Sequence, residues 1–185
     1  YHYIHGMRQL LILASAVFIF SACSDSPPAD LKKAKNVSEK VTSSAKLDVD
    51  ISKSKIWWRG SKNKGEGEHN GEISLKSGTL SVENGKVTGG SFTFDMNSIK
   101  VTDIPENEPV PRKRLTDHLK SADFFETEKY PTATFVITEA KYSVGNRFFC
   151  TGDLTIKGIK QTIRFSADYE NNTLEASVVI DRFRW

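Results

Sequence analysis

Apolar and polar residues alternate at every second position through most of this chain, from residue 47 onward. In one such run, Phe92, Phe94 and Met96 are separated by single polar residues. A period of two is typical of strands that bury one face, whereas an amphipathic helix repeats about every 3.6 residues. The pattern therefore predicts an all-β domain of seven or eight antiparallel strands.

Short turn signals separate the alternating runs. Asn84-Gly85 is the strongest of them, because both residues tolerate the positive φ angles of a two-residue hairpin turn. The other signals have a similar composition: Ser77-Gly78, Gly145-Asn146, Lys157-Gly158 and Asn171-Asn172. Since connections this short join only antiparallel neighbours, they predict an up-and-down strand order.

One connection is longer and differs in character. The segment 101–131 has prolines at positions 105, 109 and 111, and Leu115, Leu119 and Ala122 then follow at helical spacing. Proline interrupts regular structure, whereas this apolar spacing is typical of one helix face. We predict a long loop and a short helix within residues 112–125, closing over one end of the sheet.

Strands with one apolar face need a second sheet or closure into a barrel. An eight-stranded barrel has an interior just wide enough for side chains or for one small ligand. The predicted interior is rich in phenylalanine and nearly free of charge, so a cavity there favours an apolar guest. The pattern alone leaves open whether the phenylalanines line such a cavity or simply fill a core.

The N-terminal segment has the features of a secretory signal. Met7 and Arg8 precede an apolar run of eleven residues, Leu10 to Phe20, which is too short to span a bilayer but fits a signal peptide. Residues 1–6 lie before this methionine and are interpreted as an upstream translation artefact. The alternatives are an ordinary signal with an incidental cysteine after it, or a buried apolar strand.

The end of this run, Phe20-Ser21-Ala22-Cys23, resembles the lipobox of bacterial lipoproteins. The resemblance implies cleavage before Cys23 and diacylation of its thiol, and two acyl chains suffice for stable anchoring. We expect an exported protein of the cell envelope, facing the periplasm or the cell surface and anchored in a membrane. The chain then divides into residues 1–22 (upstream residues and signal), 23–46 (a flexible tether) and 47–185 (the β domain).

Composition excludes several classes of function. Lys and Arg number 26 against 23 for Asp and Glu, with opposite charges interspersed, so no field points to nucleic acid as a partner. Two cysteines make no disulfide framework. Beyond residue 22 the histidines are His69 and His118, too few for a zinc site built from several histidines.

Several motifs, in order along the chain, resemble the YceI-like domain of bacterial periplasmic proteins. They are Trp58-Arg59-Gly60-Ser61-Lys62 with His69-Asn70-Gly71, Gly89-Gly90-Ser91-Phe92 with the strand after it, Leu119 to Phe125 with Tyr130 to Phe135, Gly152 to Gly158, and Val179-Ile180-Asp181-Arg182. The resemblance implies a lipocalin-like barrel whose pocket holds a polyisoprenoid, an isoprenoid quinone or its precursor, or a long-chain lipid or amide. Family members continue past the strand with Arg182, so a C-terminally incomplete barrel with an open edge is expected.

Inward parity and this resemblance together predict the ligand-binding residues. Phe124 and Phe125 are placed at a lid, and the remaining residues on the wall: Trp58, Phe92, Phe94, Met96, Phe135, Ile137, Phe148, Cys150, Leu154 and Phe165. Trp57 is expected to point outward. Cys150 is interpreted as a small hydrophobic residue, because nothing near it in sequence creates the polar, partly exposed setting of a reactive thiol.

Polar candidates for chemistry are few. His69 lies in a glycine-rich turn, where it either binds metal or makes a polar contact at the pocket mouth. Asp117-His118 either supplies half of an acid–base pair or lies at a solvent-exposed or capping position of a helix. No nucleophile motif accompanies it. The cluster 112–114 (Arg-Lys-Arg) either meets anionic lipid headgroups or lies in a solvated loop.

The function predicted from these features is non-enzymatic binding or carriage of one long apolar molecule in the cell envelope, without any cofactor besides that ligand. Periodicity places Asp95, Asp153 and Asp168 on the outer, polar face, which leaves no paired acids in the lumen. Two alternatives stay open. One is a structural lipoprotein with a self-filled barrel that docks an unidentified protein partner, and the other is a hydrolase or isomerase acting on a lipid.

Overall fold

The computed structural model describes residues 3–11, 44–61 and 67–185. These described residues form nine strands and one α-helix, with these bounds: β1 Tyr3–Leu11, β2 Ser44–Asp48, β3 Lys55–Ser61, β4 Glu68–Glu83, β5 Lys86–Val101, α1 Pro109–Lys120, β6 Thr132–Tyr142, β7 Arg147–Ile156, β8 Ile159–Glu170 and β9 Thr173–Asp181. A turn of 3-10 helix, Arg182–Arg184, follows β9. The all-β class with one short helix, predicted from the sequence, is confirmed.

Every strand pairing is antiparallel, and strands β4 to β9 follow one another as neighbours. The order is β2-β4-β3-β1-β9-β8-β7-β6-β5, with β5 also paired to β4, so the sheet curls into a lipocalin-like barrel. β2 and β3 lie one after the other along the same edge of β4. A turn at residues 51–53 separates them, and the Asp50 side chain accepts a hydrogen bond there from the Ser52 backbone N–H.

β1 lies between β3 and β9 and pairs with both, with Met7 opposite Ile56 and Ile4 opposite Ile180. The barrel edge that we expected to be open is therefore occupied by this strand. β1 belongs to the segment interpreted as upstream residues and signal. Cys23, most of the apolar run before it and nearly all of the predicted tether lie outside the described residues.

The turn predictions hold with one exception. Asn84-Gly85, Lys157-Gly158 and Asn171-Asn172 all have positive φ angles and connect consecutive strands, and Gly145 does the same between β6 and β7. The turn predicted at Ser77-Gly78 is wrong, because both residues lie inside the 16-residue strand β4. The pairing of β4 with β5 shifts register between Leu75 and Ser77, and Gly78 packs closely against Val49 and Phe92. The glycine marks an irregular, crowded stretch of strand rather than a chain reversal.

Helix α1 begins and ends earlier than predicted. It spans Pro109–Lys120, and its first turn holds Pro109 and Pro111, where a missing backbone N–H costs no intrahelical hydrogen bond. Leu119 is its buried residue. The segment 121–129 then forms tight turns, in which the Phe125 N–H donates to the Leu119 carbonyl at 3.2 Å. These turns fold the chain back over the barrel end before β6.

The two ends of the barrel differ. At the end formed by the β4–β5, β6–β7 and β8–β9 turns, the interior is filled by side chains that are almost fully buried: Leu80, Val87, Phe92, Phe148 and Cys150. The Tyr142 hydroxyl accepts a hydrogen bond from the Val87 N–H there at 2.6 Å. The opposite end is the one that α1 covers. None of the helices among the described residues is long and apolar enough to cross a membrane.

Candidate functional site

A cavity of about 300 Å³ occupies the half of the barrel that α1 covers. Its wall comes from strands β3 to β9, from α1 and from the turn after α1. Nearly all the lining groups are aliphatic or aromatic. A cavity of this size lies at the small end of the range for ligand pockets, roughly 300–1,000 Å³.

Eight of the twelve side chains predicted to bind ligand lie on this wall: Trp58, Phe94, Met96, Phe124, Phe125, Phe135, Leu154 and Phe165. The structure places the other four, Phe92, Ile137, Phe148 and Cys150, elsewhere in the barrel, as buried core. All twelve are inside the fold, but a period of two identifies only the inner face of a strand. It does not give the height of a residue along the barrel, and these four lie towards the filled end.

Trp58 forms one wall of the cavity and is held from two sides. Its indole N–H donates to the Lys100 carbonyl at 3.2 Å. Its ring lies over Gly71, the residue opposite it on β4, so closely that a Cβ there would be 2.7 Å from the ring. Trp58 is 5% exposed, as the alternation predicts, whereas Trp57 is 39% exposed but also borders the cavity. Gly152 makes similar room for the ring of Phe135.

Phe124 and Phe125 form the cover of the cavity. Their rings meet nearly at right angles with centroids 4.7 Å apart, and both side chains are buried. Their backbone is fixed to the end of α1, since the Phe124 N–H donates to the Ser121 carbonyl at 3.1 Å. His118 contacts the Phe124 ring from α1, with ring centroids 5.8 Å apart. The predicted lid is thus a well-anchored turn.

Two histidines supply most of the polarity of the cavity lining. His69 and His118 both border it, together with Ser61. The Nδ1 atom of His69 lies 2.8 Å from an Asp103 carboxylate oxygen, and the other oxygen of Asp103 accepts from the Asn70 N–H at 3.1 Å. Because an ionised carboxylate only accepts hydrogen bonds, Nδ1 is the donor, which leaves the His69 Nε2 lone pair available in the neutral ring.

Metal binding by His69 and headgroup contact by the basic cluster are the remaining hypotheses from the sequence. Within the described residues, no group of three or more metal-ligating side chains is found, so the metal interpretation of His69 gains no support. In the basic cluster, Arg112 donates to the Val101 carbonyl and pairs with Glu106, while Lys113 pairs with Asp117. Local partners therefore take up two of its three charges.

Cys150 is fully enclosed in the filled half. Burial raises the pKa of its thiol to about 12, so the group stays neutral in the folded protein. The outer carboxylates engage surface groups instead of the lumen. Asp168 pairs with Arg147, and Asp153 pairs with Lys160.

Sequence reasoning left out many residues that line the cavity. The missing ones include small or aliphatic residues of the strands and three residues of α1: Ile56, Ile73, Ile99, Leu115, His118, Leu119, Ala133, Ile156, Ile163, Val178 and Ile180. Apart from Ile99, which is out of step with Phe94 and Met96 on β5, the strand residues fit the inward parity of the alternating runs, so the alternation contained their signal. For His118 the sequence favours a solvated or capping role, because helical spacing alone does not show which side of α1 faces the barrel.

Comparisons with known proteins agree with this architecture. The model of the YceI-like domain matches residues 47–185. A UPF0312 protein of Photorhabdus laumondii is 38% identical over 84 residues, and the protein YceI of Escherichia coli is 36% identical over 83 residues. These alignments span 43% and 42% of this chain, and 43% of each relative.

The crystal structure of Burkholderia cenocepacia BcnA is similar in fold. It superposes with a TM-score of 0.53 at 20% sequence identity, covering 72% of this chain and 100% of BcnA. At this identity the likeness concerns the fold alone.

Proposed function

Because this chain belongs to the YceI-like domain family, we propose that it binds one amphiphile with a long apolar chain in its cavity, without chemical turnover. The observation that carries the proposal is the cavity itself. A well-packed interior leaves few voids larger than a water molecule, yet half of this barrel encloses about 300 Å³ among apolar groups. The other half of the barrel is densely packed, so the cavity does not reflect loose packing throughout the interior.

The cavity volume limits what fits. If each chain carbon takes about the volume of a water molecule in the liquid, roughly 30 Å³, the cavity holds about ten of them. Burial of ten methylenes contributes about 8 kcal/mol before the costs of association. A polyisoprenoid, an isoprenoid quinone or another long lipid would therefore keep part of its length outside the cavity.

We further propose that the protein acts in the cell envelope, exported and anchored through acylated Cys23. The signal-like run and the cysteine after it support this location. Cleavage before Cys23 would also remove β1, and the edges of β3 and β9 would then lose their common partner. The binding proposal rests on a cavity wall built from residues 56–180 and not on this segment.

Organic extraction of the full chain, purified without detergent, tests the binding proposal. Mass spectrometry of the extract should find one isoprenoid or long-chain lipid at near-stoichiometric amount. Ala133→Phe, which adds a ring to a small residue of the cavity wall, should abolish its retention. The matched control Val136→Phe adds the same ring to an exposed position of the same strand.

An empty extract from folded protein that also takes up no added lipid would contradict the proposal. It would favour the structural, partner-docking alternative. Equal retention of lipid by Ala133→Phe and Val136→Phe would place the lipid outside the cavity.

A further inference from the structure

Arg182 brings a positive charge to the covered end of the barrel. It is the first residue of the 3-10 turn that follows β9, the strand whose Val178 and Ile180 face the cavity. Its guanidinium lies on the ring of Phe124, 4.4 Å from the centroid. Arg182 is not among the described residues that line the cavity, but Phe124, which it contacts, is part of the cavity cover.

The Arg182 side chain has an unsatisfied donor. Its Nε atom is buried and, within the part of the chain that the structure describes, has no hydrogen-bond partner. It is the single buried side-chain nitrogen or oxygen of the described residues in this situation. None of the ion pairs found among these residues includes Arg182. The guanidinium of Arg182 instead makes cation–π contacts with the aromatic rings of Phe124 and Phe183.

A buried guanidinium N–H without an acceptor is unfavourable unless a bound group supplies one. Buried donors in native proteins are almost always paired, and the requirement is stronger for a charged group than for a neutral one. Aromatic rings attract the cation through their faces but accept no strong hydrogen bond from Nε–H. An oxyanion is the partner that satisfies both the charge and the fork-shaped donor set of a guanidinium.

We propose that Arg182 binds the anionic headgroup of the ligand, a carboxylate or a phosphate, while the apolar chain enters the cavity beneath Phe124. The assignment rests on the proposed function and narrows it from apolar molecules in general to anionic amphiphiles. Further polar groups lie at the same end of the barrel. They are His118, which also contacts the Phe124 ring, and the His69–Asp103 pair. Neutral quinones and amides of equal chain length bind more weakly under this assignment.

Displacement of the neutral dye N-phenyl-1-naphthylamine from the full chain near pH 7 provides the test. The competitors are decanoate, decyl phosphate, decan-1-ol and decanamide, which share one chain length. We expect one or both anions to compete at least about tenfold more strongly than the alcohol and the amide, as a charged hydrogen bond requires. The ratio of decanoate to decyl phosphate distinguishes a carboxylate from a phosphate headgroup.

Variants separate the headgroup role from a structural one. Arg182→Gln should reduce the strength with which the two anions compete for the dye site to that of decan-1-ol. The competition by decan-1-ol itself should change by less than about twofold. Arg182→Lys keeps the charge and should retain part of the preference. Arg184→Gln is the matched control, because Arg184 lies in the same turn but hydrogen-bonds with Gln161, and it should leave the preference intact.

The outcomes that overturn the assignment are distinct from failure of the proposed function. Equal competition by all four compounds, or a loss in Arg182→Gln that is as large for decan-1-ol as for decanoate, refutes the headgroup role and leaves the apolar site standing. Absence of any dye uptake or competition refutes both. A thermal melt shows whether Arg182→Gln folds. If it does not, Arg182→Lys is compared with Arg184→Gln, and the assignment requires that only Arg182→Lys weakens the preference for anions.

Discussion

Replacing Gly71 with alanine tests how the Trp58 wall is built. A Cβ at this position would lie 1.8 Å from the Lys100 carbonyl oxygen and 2.7 Å from the Trp58 ring. Both are shorter than any ordinary contact, and the first is to backbone, so a side-chain rotation alone does not relieve it. The β4–β5 ladder must shift there, and the hydrogen bond from Trp58 to Lys100 is disturbed with it.

The expected loss of stability follows from these two effects. Overpacking costs about 1–3 kcal/mol, and a lost hydrogen bond about 1 kcal/mol, which gives about 2–4 kcal/mol in total. For a domain of this size that lowers Tm by roughly 4–16 °C. Thermal unfolding followed by circular dichroism measures the shift, and dye uptake reports whether the cavity survives.

Gly89→Ala is the matched control. Gly89 lies on β5, its φ is not positive, and a methyl group at this position would have its nearest neighbour 3.8 Å away, in Ser81. We expect Gly89→Ala to leave Tm unchanged or slightly raised. If Gly71→Ala melts within about 2 °C of Gly89→Ala, less than about 1 kcal/mol separates them and the close packing of Trp58 on Gly71 is refuted.

Two further predictions concern the core and the C-terminal turn. The Cys150 thiol stays neutral when folded but ionises near pH 8.5 when unfolded, so folding stability falls as the pH rises above that value. Between pH 7 and pH 10, urea denaturation should show wild type losing about 2 kcal/mol more than Cys150→Ala; parallel pH profiles would contradict the burial of the thiol. Trp185 is buried, and its indole N–H donates to the Leu154 carbonyl at 3.2 Å. Trp185→Ala should therefore lower the free energy of unfolding by about 3–5 kcal/mol in the same assay. A loss below about 1 kcal/mol would show that this turn does not pack on the barrel.

The sequence predicts the strands and their buried faces well, because a single physical rule governs both. Burial of one sheet face imposes a period of two, and Phe94 and Phe135 follow it into the cavity wall. The same rule cannot separate Phe92 from Phe94, which share a face of β5 but lie in the filled and hollow halves. Height along a barrel depends on strand tilt and register, which are set by pairings between distant segments.

Local sequence signals also fail where tertiary packing gives a residue a second use. Gly78 reads as a turn but lies inside β4, where its missing side chain leaves room for Val49 and Phe92. His118 reads as a solvated helix residue, yet α1 turns it towards the cavity cover. The unpaired Nε of Arg182 has no local signal, since its environment is made by Phe124 on a distant turn.

A crystal structure of the full chain with ω-bromodecanoate tests the central claim most directly, because anomalous scattering locates the bromine at the end of the chain. The account predicts bromine inside the cavity, among Trp58, Phe94 and Phe135, with the carboxylate towards Arg182. Bromine on the outer surface of the barrel, or no bound ligand at saturating concentration, would contradict it.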